Sequence, residues 1–145
     1  MIDIGKFNEG FAEAISVKLK NKFSDFGIDC KSYIVTGLEL NDDDMKQNIA
    51  DYQTRMVMKI NHSSGKVSTS ASYLSGSMIV SSTETNIYEI SIIDLENDKT
   101  VWKAILNIVD YTPGLGAFGA ISKYFSNEII LAMKKDGLIE ETLTK

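Results

Sequence analysis

Two neighbouring stretches of alternating apolar residues, 86–95 and 100–110, most restrict how this chain folds. Alternation with a period of two gives a strand one apolar face. The residues between the two stretches, 96–99, are of the turn-forming type, so the pair is predicted to form an antiparallel hairpin. Its apolar face contains Tyr88, Ile90, Ile92, Trp102, Ala104, Leu106 and Ile108. We expect Tyr88 and Trp102 to form a cross-strand aromatic pair.

Both ends of the chain have the period of an amphipathic helix. Residues 6–26 and 116–136 are the two predicted long helices, and Gly27 and Gly137 follow them as left-handed C-caps. The apolar faces consist of Phe7, Phe11, Ile15, Leu19, Phe23 and Phe26 in the first helix, and of Phe118, Ile121, Phe125, Ile129 and Met133 in the second. Trp102 and Phe125 are predicted to be buried where the sheet meets the last helix.

The middle of the chain adds two strands, at 31–40 and 54–61, and a short helix that ends near Asp51. Residues 63–85 are rich in Ser and Thr, and their few apolar residues leave two alternatives open, a long mobile loop or a weakly specified hairpin. The prediction is a single α+β domain over residues 1–145. Its mixed or antiparallel sheet has about four strands in the order α-β-α-β-β-β-α, and the two long helices pack on one face.

Composition excludes several classes of function. The net charge is −5 and Arg55 is the single Arg, which argues against a nucleic acid partner. Cys30 and His62 are the only residues of their types, so neither an intramolecular disulfide nor a Cys/His zinc site is expected. The acidic run 42–44 is interpreted as a helix start, because its spacing does not fit a calcium loop. We therefore predict no metal and no cofactor.

No catalytic residue is predicted either. The run from Gly114 to Gly119 has dinucleotide-binding spacing, but too few residues follow it to complete a Rossmann unit. His62 beside Ser63 lacks an identifiable orienting acid and is interpreted as a surface residue. Cys30 is interpreted as an inert thiol, because no basic cluster or second Cys is near it in sequence.

The hairpin and the last helix resemble a group of small bacterial cell-envelope domains. The resemblance lies in the run from Tyr88 to Leu95, in Val101-Trp102-Lys103-Ala104 after the turn, and in the helix end from Lys135 to Ile139. Many members are lipoproteins without known enzymatic activity, and their fold is similar to the TolB amino-terminal domain and to the periplasmic core of CsgG-like proteins. The resemblance implies a binding or scaffolding role in the envelope and supplies no catalytic residues.

The function expected from the sequence is therefore that of a non-catalytic, envelope-associated binding or scaffold domain, and a sheet edge or the loop 111–119 would make the contact. Tyr111, Leu115 and Phe118 are the candidate contact residues, because this loop is apolar and uncharged. The partner would be another protein or a second copy. The alternative is a small ligand-binding protein or enzyme whose pocket the sequence does not reveal.

The expected location is the periplasm or the outer membrane if a signal segment has been removed, and otherwise the cytoplasm. Proximity to a membrane is expected only through an anchor that this chain lacks.

Overall fold

The computed structural model describes residues 1–4, 9–34, 42–74, 77–110 and 118–140. Five described strands form one mixed sheet in the order β2-β1-β3-β4-β5. The α+β class is confirmed, but the described sheet has five strands instead of about four. Along the chain the elements are β1 (Ile2–Ile4), α1 (Glu9–Asp25), β2 (Ser32–Ile34), α2 (Asp42–Asp51), β3 (Met56–Leu74), β4 (Ser77–Asp94), β5 (Lys99–Asp110) and α3 (Phe118–Lys135).

The additional strand is β1, which lies between β2 and β3 and runs parallel to both. Its two isoleucines, Ile2 and Ile4, are buried under the helices. The N–H of Ile2 donates to the carbonyl of Lys31 at 2.7 Å, and the N–H of Met58 donates to the carbonyl of Met1 at 2.8 Å. A strand of three residues is too short to show a period in sequence, which explains why the sequence did not predict it.

One face of the sheet packs against α1 and α3. The core contains Ile2, Ile4, Met58, Ile60, Tyr88, Ile90, Trp102 and Ile108 from the sheet, Phe11, Ile15, Leu19 and Phe23 from α1, and Phe125, Ile129 and Met133 from α3. The ring centroid of Tyr88 lies 5.0 Å from that of Phe125 and 6.4 Å from that of Phe11. The predicted burial of Trp102 and Phe125 is confirmed, since both side chains lie in this core.

The predicted pair of Tyr88 and Trp102 is wrong. The β4–β5 register places Tyr88 opposite Leu106 and Trp102 opposite Ile92. Instead, the indole Nε1–H of Trp102 donates to Asp136 Oδ2 at 2.8 Å and so connects β5 to the end of α3. A buried indole needs such an acceptor.

Both long helices end as the sequence predicts. Gly27 and Gly137 each have a φ of 72°, the left-handed conformation that glycine adopts without steric cost. After α1, the N–H of Ile28 donates to the carbonyl of Phe23 and that of Gly27 to the carbonyl of Ser24, both at 2.9 Å. After α3, Leu138 and Gly137 make the two corresponding bonds to Met133 and Lys134. These bonds are those of a Schellman cap, which satisfies the last carbonyls of a helix.

The turn between β4 and β5 is built around Asp94. Its carboxylate accepts the side-chain amide of Asn97 at 2.9 Å and the N–H of Glu96 at 3.0 Å, and Arg55 lies 3.5 Å away. The bond from Asn97 contributes most to lowering the pKa of Asp94 below its usual value, and the Glu96 N–H and Arg55 act in the same direction.

Replacing Phe125 with Ala should lower the free energy of unfolding by about 3–5 kcal/mol, because it leaves a cavity in the core. The matched control is Tyr124→Ala, since the neighbouring Tyr124 is exposed, and this change should cost no more than about 0.5 kcal/mol. Denaturant unfolding measures both values. Equal losses for the two variants would contradict the assignment of faces on α3.

Asp94→Asn should reduce the acid sensitivity of the fold. A carboxylate whose folded pKa lies below its unfolded value contributes stability above the unfolded value, and that contribution disappears as the pH falls through the folded pKa. The variant should therefore lose less stability than the wild type between neutral pH and about pH 2. Urea unfolding across this range is the measurement, with Asp98→Asn in the same turn as the control. An unchanged pH profile for Asp94→Asn would contradict the prediction.

Candidate interaction surface

The β3–β4 hairpin extends beyond the rest of the described sheet. β1 pairs with β3 at Met58, Lys59 and Ile60, and β5 pairs with β4 from Glu84 onward. Beyond these points, among the described residues, β3 and β4 pair with each other alone. We call this two-stranded extension the ribbon and define it as residues 66–74 and 77–83. The ribbon occupies most of the stretch 63–85, for which the sequence allows either a loop or a hairpin.

A β-bulge at the base of the ribbon changes which residues of β3 face the helices. The register shifts between His62 and Ser64, so Val67, Ala71 and Tyr73 lie on the same face of the sheet as the buried Ile60. The serines at 68, 70 and 72 alternate with them and lie on the opposite face. Within the ribbon, β3 therefore continues the apolar face of the core on one side and presents serine on the other.

The described helices do not cover this apolar face of the ribbon. The exposed fractions of Val67, Tyr73 and Met78 are 64%, 78% and 58%. Large apolar side chains that share one exposed face are the usual mark of an interaction surface. A second exposed strip lies on β5, where Val101, Ile105 and Val109 face away from the core residues of that strand.

Beyond Lys66, the edges of the ribbon lack the features with which proteins protect exposed strands. Charged residues, proline and edge bulges normally prevent one exposed strand from pairing with another. The sequence from Val67 to Thr83 contains no charged residue and no proline, and the bulge at the base precedes the ribbon. Among the strands that the structure describes, none pairs with the outer edge of β3 across Lys66–Leu74, where a further strand could be added.

Side-chain contacts at the base of the ribbon hold the bulge in place. His62 Nε2 lies 2.8 Å from Asn86 Oδ1, and its ring packs against Tyr88. Gly65 allows this approach, because a Cβ there would lie 2.9 Å from Asn86 Oδ1. Ser63 Oγ donates to Glu89 Oε1 at 2.9 Å. His62 and its neighbour Ser63 thus bind different partners and act as ties between β3 and β4.

The contact loop predicted from the sequence lies largely outside the described residues. Tyr111 and Leu115 belong to the undescribed stretch 111–117, and Phe118 is the first residue of α3. Upstream of this loop β5 runs antiparallel to β4, which agrees with the rejection of the dinucleotide motif there.

The structure also describes the positions of Asp42 and Cys30, the other polar residues considered as candidates. Asp42 begins α2, as the capping interpretation predicts. Burial raises the pKa of the half-buried Cys30 thiol, which opposes formation of the reactive thiolate. Within the described ranges, no group of three or more His, Cys, Asp or Glu side chains is arranged to hold a metal ion. None of the described helices is long and apolar enough to cross a membrane.

The alternating pattern from Val67 to Tyr73 is the sequence signal for this surface. The pattern is weak in the sequence, because residues 63–85 contain few apolar residues to bury within one chain. Strand alternation needs only a covered face, and the cover can come from outside the chain.

Comparison with known proteins shows that the fold of this chain is similar to that of several solved structures. The chain matches no known family model and no curated protein sequence. The PelC dodecamer from Paraburkholderia phytofirmans has a similar structure, with a TM-score of 0.50 at 10% identity over 89% of this chain and 84% of that chain.

Two lipoproteins are also similar. A minor lipoprotein from Acinetobacter baumannii has 6% identity and a TM-score of 0.45 over 95% of this chain and 94% of that chain. Lipoprotein GNA1162 from Neisseria meningitidis has 14% identity and a TM-score of 0.43 over 90% of this chain and 98% of that chain. The structural neighbours thus include bacterial lipoproteins, at identities at which the likeness concerns the fold alone.

Proposed function

We propose that this chain is a non-catalytic scaffold domain of the bacterial cell envelope that acts by self-association through its sheet. The observation that carries the proposal is the ribbon, which has no charged residue beyond Lys66, an outer edge that no described strand pairs with, and an apolar face that the described helices leave exposed. Surfaces of this kind bind protein, because exposed apolar area and unpaired strand edges are costly in water.

The comparisons support the same role. PelC, whose fold this chain shares, is described as a dodecamer, so the fold is compatible with assembly of identical subunits. As part of this proposal, the hairpin and the last helix are similar to the TolB amino-terminal domain and to CsgG-like proteins. The proposed location is the periplasm or the outer membrane. In this role the chain works as an assembly unit and carries out no reaction of its own.

The wild-type chain should self-associate reversibly. Sedimentation velocity over a wide concentration range should show the weight-average mass rising from that of the monomer to that of a defined oligomer. Fractionation of the cells that encode the protein should recover it with the envelope. A chain that stays monomeric at every concentration would overturn the proposed function, and a chain that fractionates with the cytosol would overturn its proposed location.

The loop 111–119 remains a second proposed contact, on sequence grounds. Leu115→Asp should leave the melting temperature nearly unchanged and weaken self-association in light scattering, because a charge replaces an apolar contact residue. Gly119→Ser is the matched control, since Gly119 is exposed at the start of α3 and has open space around it. A large drop in melting temperature for Leu115→Asp would make Leu115 a core residue and remove it from the contact surface.

A further inference from the structure

We propose that two copies of this chain pair through the outer edge of β3, antiparallel across a twofold axis at Ser70, and so join their ribbons into one four-stranded sheet. This inference rests on the proposed function and identifies the surface that performs it. The strand order across the interface would be β4-β3-β3-β4, with the two inner strands from different copies.

The ribbon needs an added strand for physical reasons. A two-stranded hairpin is only marginally stable in water, whereas three or more strands with an apolar face are stable. The ribbon has two strands, and among the described residues no helix covers its apolar face at Val67, Tyr73 or Met78. A strand added at β3 supplies backbone partners and places more apolar side chains beside Val67 and Tyr73.

The sequence of β3 identifies the added strand as a second copy of β3. The run Val67-Ser-Thr-Ser-Ala-Ser-Tyr73 reads almost alike in both directions about Ser70. In an antiparallel twofold pairing each residue meets the one equally far on the other side of the axis, so a segment that reads alike in both directions brings similar residues opposite each other. The axis would place Val67 opposite Tyr73 of the other copy, and an aromatic ring with a β-branched side chain is a favourable cross-strand pair.

The remaining cross-strand pairs follow the same rule. Ser68 would face Ser72 of the other copy, which places two serine hydroxyls side by side. Thr69 would face Ala71 of the other copy, which pairs two small side chains. Val67, Ala71 and Tyr73 of both copies then lie on one face of the joined sheet, because a twofold axis perpendicular to the sheet preserves its faces.

The distribution of charge favours contact between copies at this place. The chain carries a net charge of −5, so two copies repel each other over most of their surfaces. The seventeen residues from Val67 to Thr83 contain no charge, and Lys66 at the start of the ribbon would face Leu74 of the other copy. Like charges therefore do not meet anywhere along the proposed pairing.

The described part of the chain also leaves room for this arrangement. Antiparallel ribbons direct the two helix-covered bodies to opposite ends of the joined sheet. β1 pairs with β3 only at Met58–Ile60, and no other described strand pairs with the outer edge of β3 across Lys66–Leu74. The corresponding open edge of β4, Ser77–Thr83, is shorter, because β5 pairs with β4 from Glu84.

Disulfide trapping tests the register. In a Cys30→Ser background, Ser70→Cys places two thiols opposite each other across the axis, at the Cα separation of about 4.5–5.5 Å that a disulfide spans. The matched control is Ser68→Cys, whose two copies would lie four strand positions apart, about 14 Å, which is too far for a disulfide. Mild oxidation should convert Ser70→Cys to a covalent dimer at least about tenfold faster than Ser68→Cys.

Charge substitutions test the surface independently of oxidation. Tyr73→Lys should raise the dissociation constant of self-association at least about tenfold, because it introduces a charge at a paired apolar position. Ile105→Lys on β5 is the control, since Ile105 is also exposed but lies outside the ribbon, and it should leave the constant unchanged. Both side chains are exposed, so circular dichroism should show a folded chain in each case.

The outcomes separate this inference from the proposed function. Self-association that survives Tyr73→Lys, with equal cross-linking of Ser68→Cys and Ser70→Cys, would overturn the ribbon pairing and leave the scaffold function standing. A wild-type chain that is monomeric at every concentration would overturn both. A monomer that floats with phosphatidylethanolamine–phosphatidylglycerol vesicles, and loses this property in Tyr73→Lys, would identify a lipid surface as the occupant instead of a second copy.

Discussion

The pairing of β3 with β4 is the interaction on which the rest of this structure depends. The two strands pair from Met56 and Asp94 at one end to Leu74 and Ser77 at the other, and β1 and β5 add to their outer edges over only part of that length. Where the neighbouring strands are present, α1 and α3 cover one face and a core forms. Where they end, the same two strands continue as a ribbon with the same alternation and no cover from the described helices.

The bulge between His62 and Ser64 connects these two parts physically. Without the extra residue, the serines of β3 would lie on the core face and Val67 and Tyr73 on the other face. The shift brings the apolar residues of the ribbon into phase with Ile60 and Ile90. A one-residue irregularity, tied by His62 to Asn86, therefore decides that the ribbon is amphipathic in the same sense as the body.

Much of the fold follows from sequence because its signals are local and repeated. The stripe from Phe11 to Phe23 and the cap at Gly27 use only neighbouring residues, so their positions can be predicted directly. β1 cannot be predicted from neighbouring residues in this way, because it is held in place by two strands that are distant in sequence. The pair of Tyr88 and Trp102 fails because register depends on the turn after Asp94 and on the irregularity at Ile92, which alternation alone does not specify.

The candidate surface was harder to predict than the fold for a related reason. The sequence leaves two contacts open, a sheet edge or the loop 111–119, and it supplies candidate residues for the loop alone, because that loop is apolar and uncharged. Composition also suggested that 63–85 has too little to bury, which holds for a chain that must supply its own core. In the structure, Val67, Tyr73 and Met78 lie on one face beyond the reach of the described helices, so this stretch offers an apolar surface to a partner.

Under the proposed pairing, the serine content of the ribbon has a physical role. A strand of isoleucine and valine with an open edge would pair with many partners, which makes such strands prone to aggregation. Serine at every second position weakens each individual contact, so a stable pair requires the whole stretch from Lys66 to Leu74 to align at once. The palindrome about Ser70 allows this in the twofold register, and a slip by one residue would move Tyr73 to the serine face. The specificity of the contact therefore comes from the length and symmetry of the pattern, and the weak individual contacts keep the association reversible.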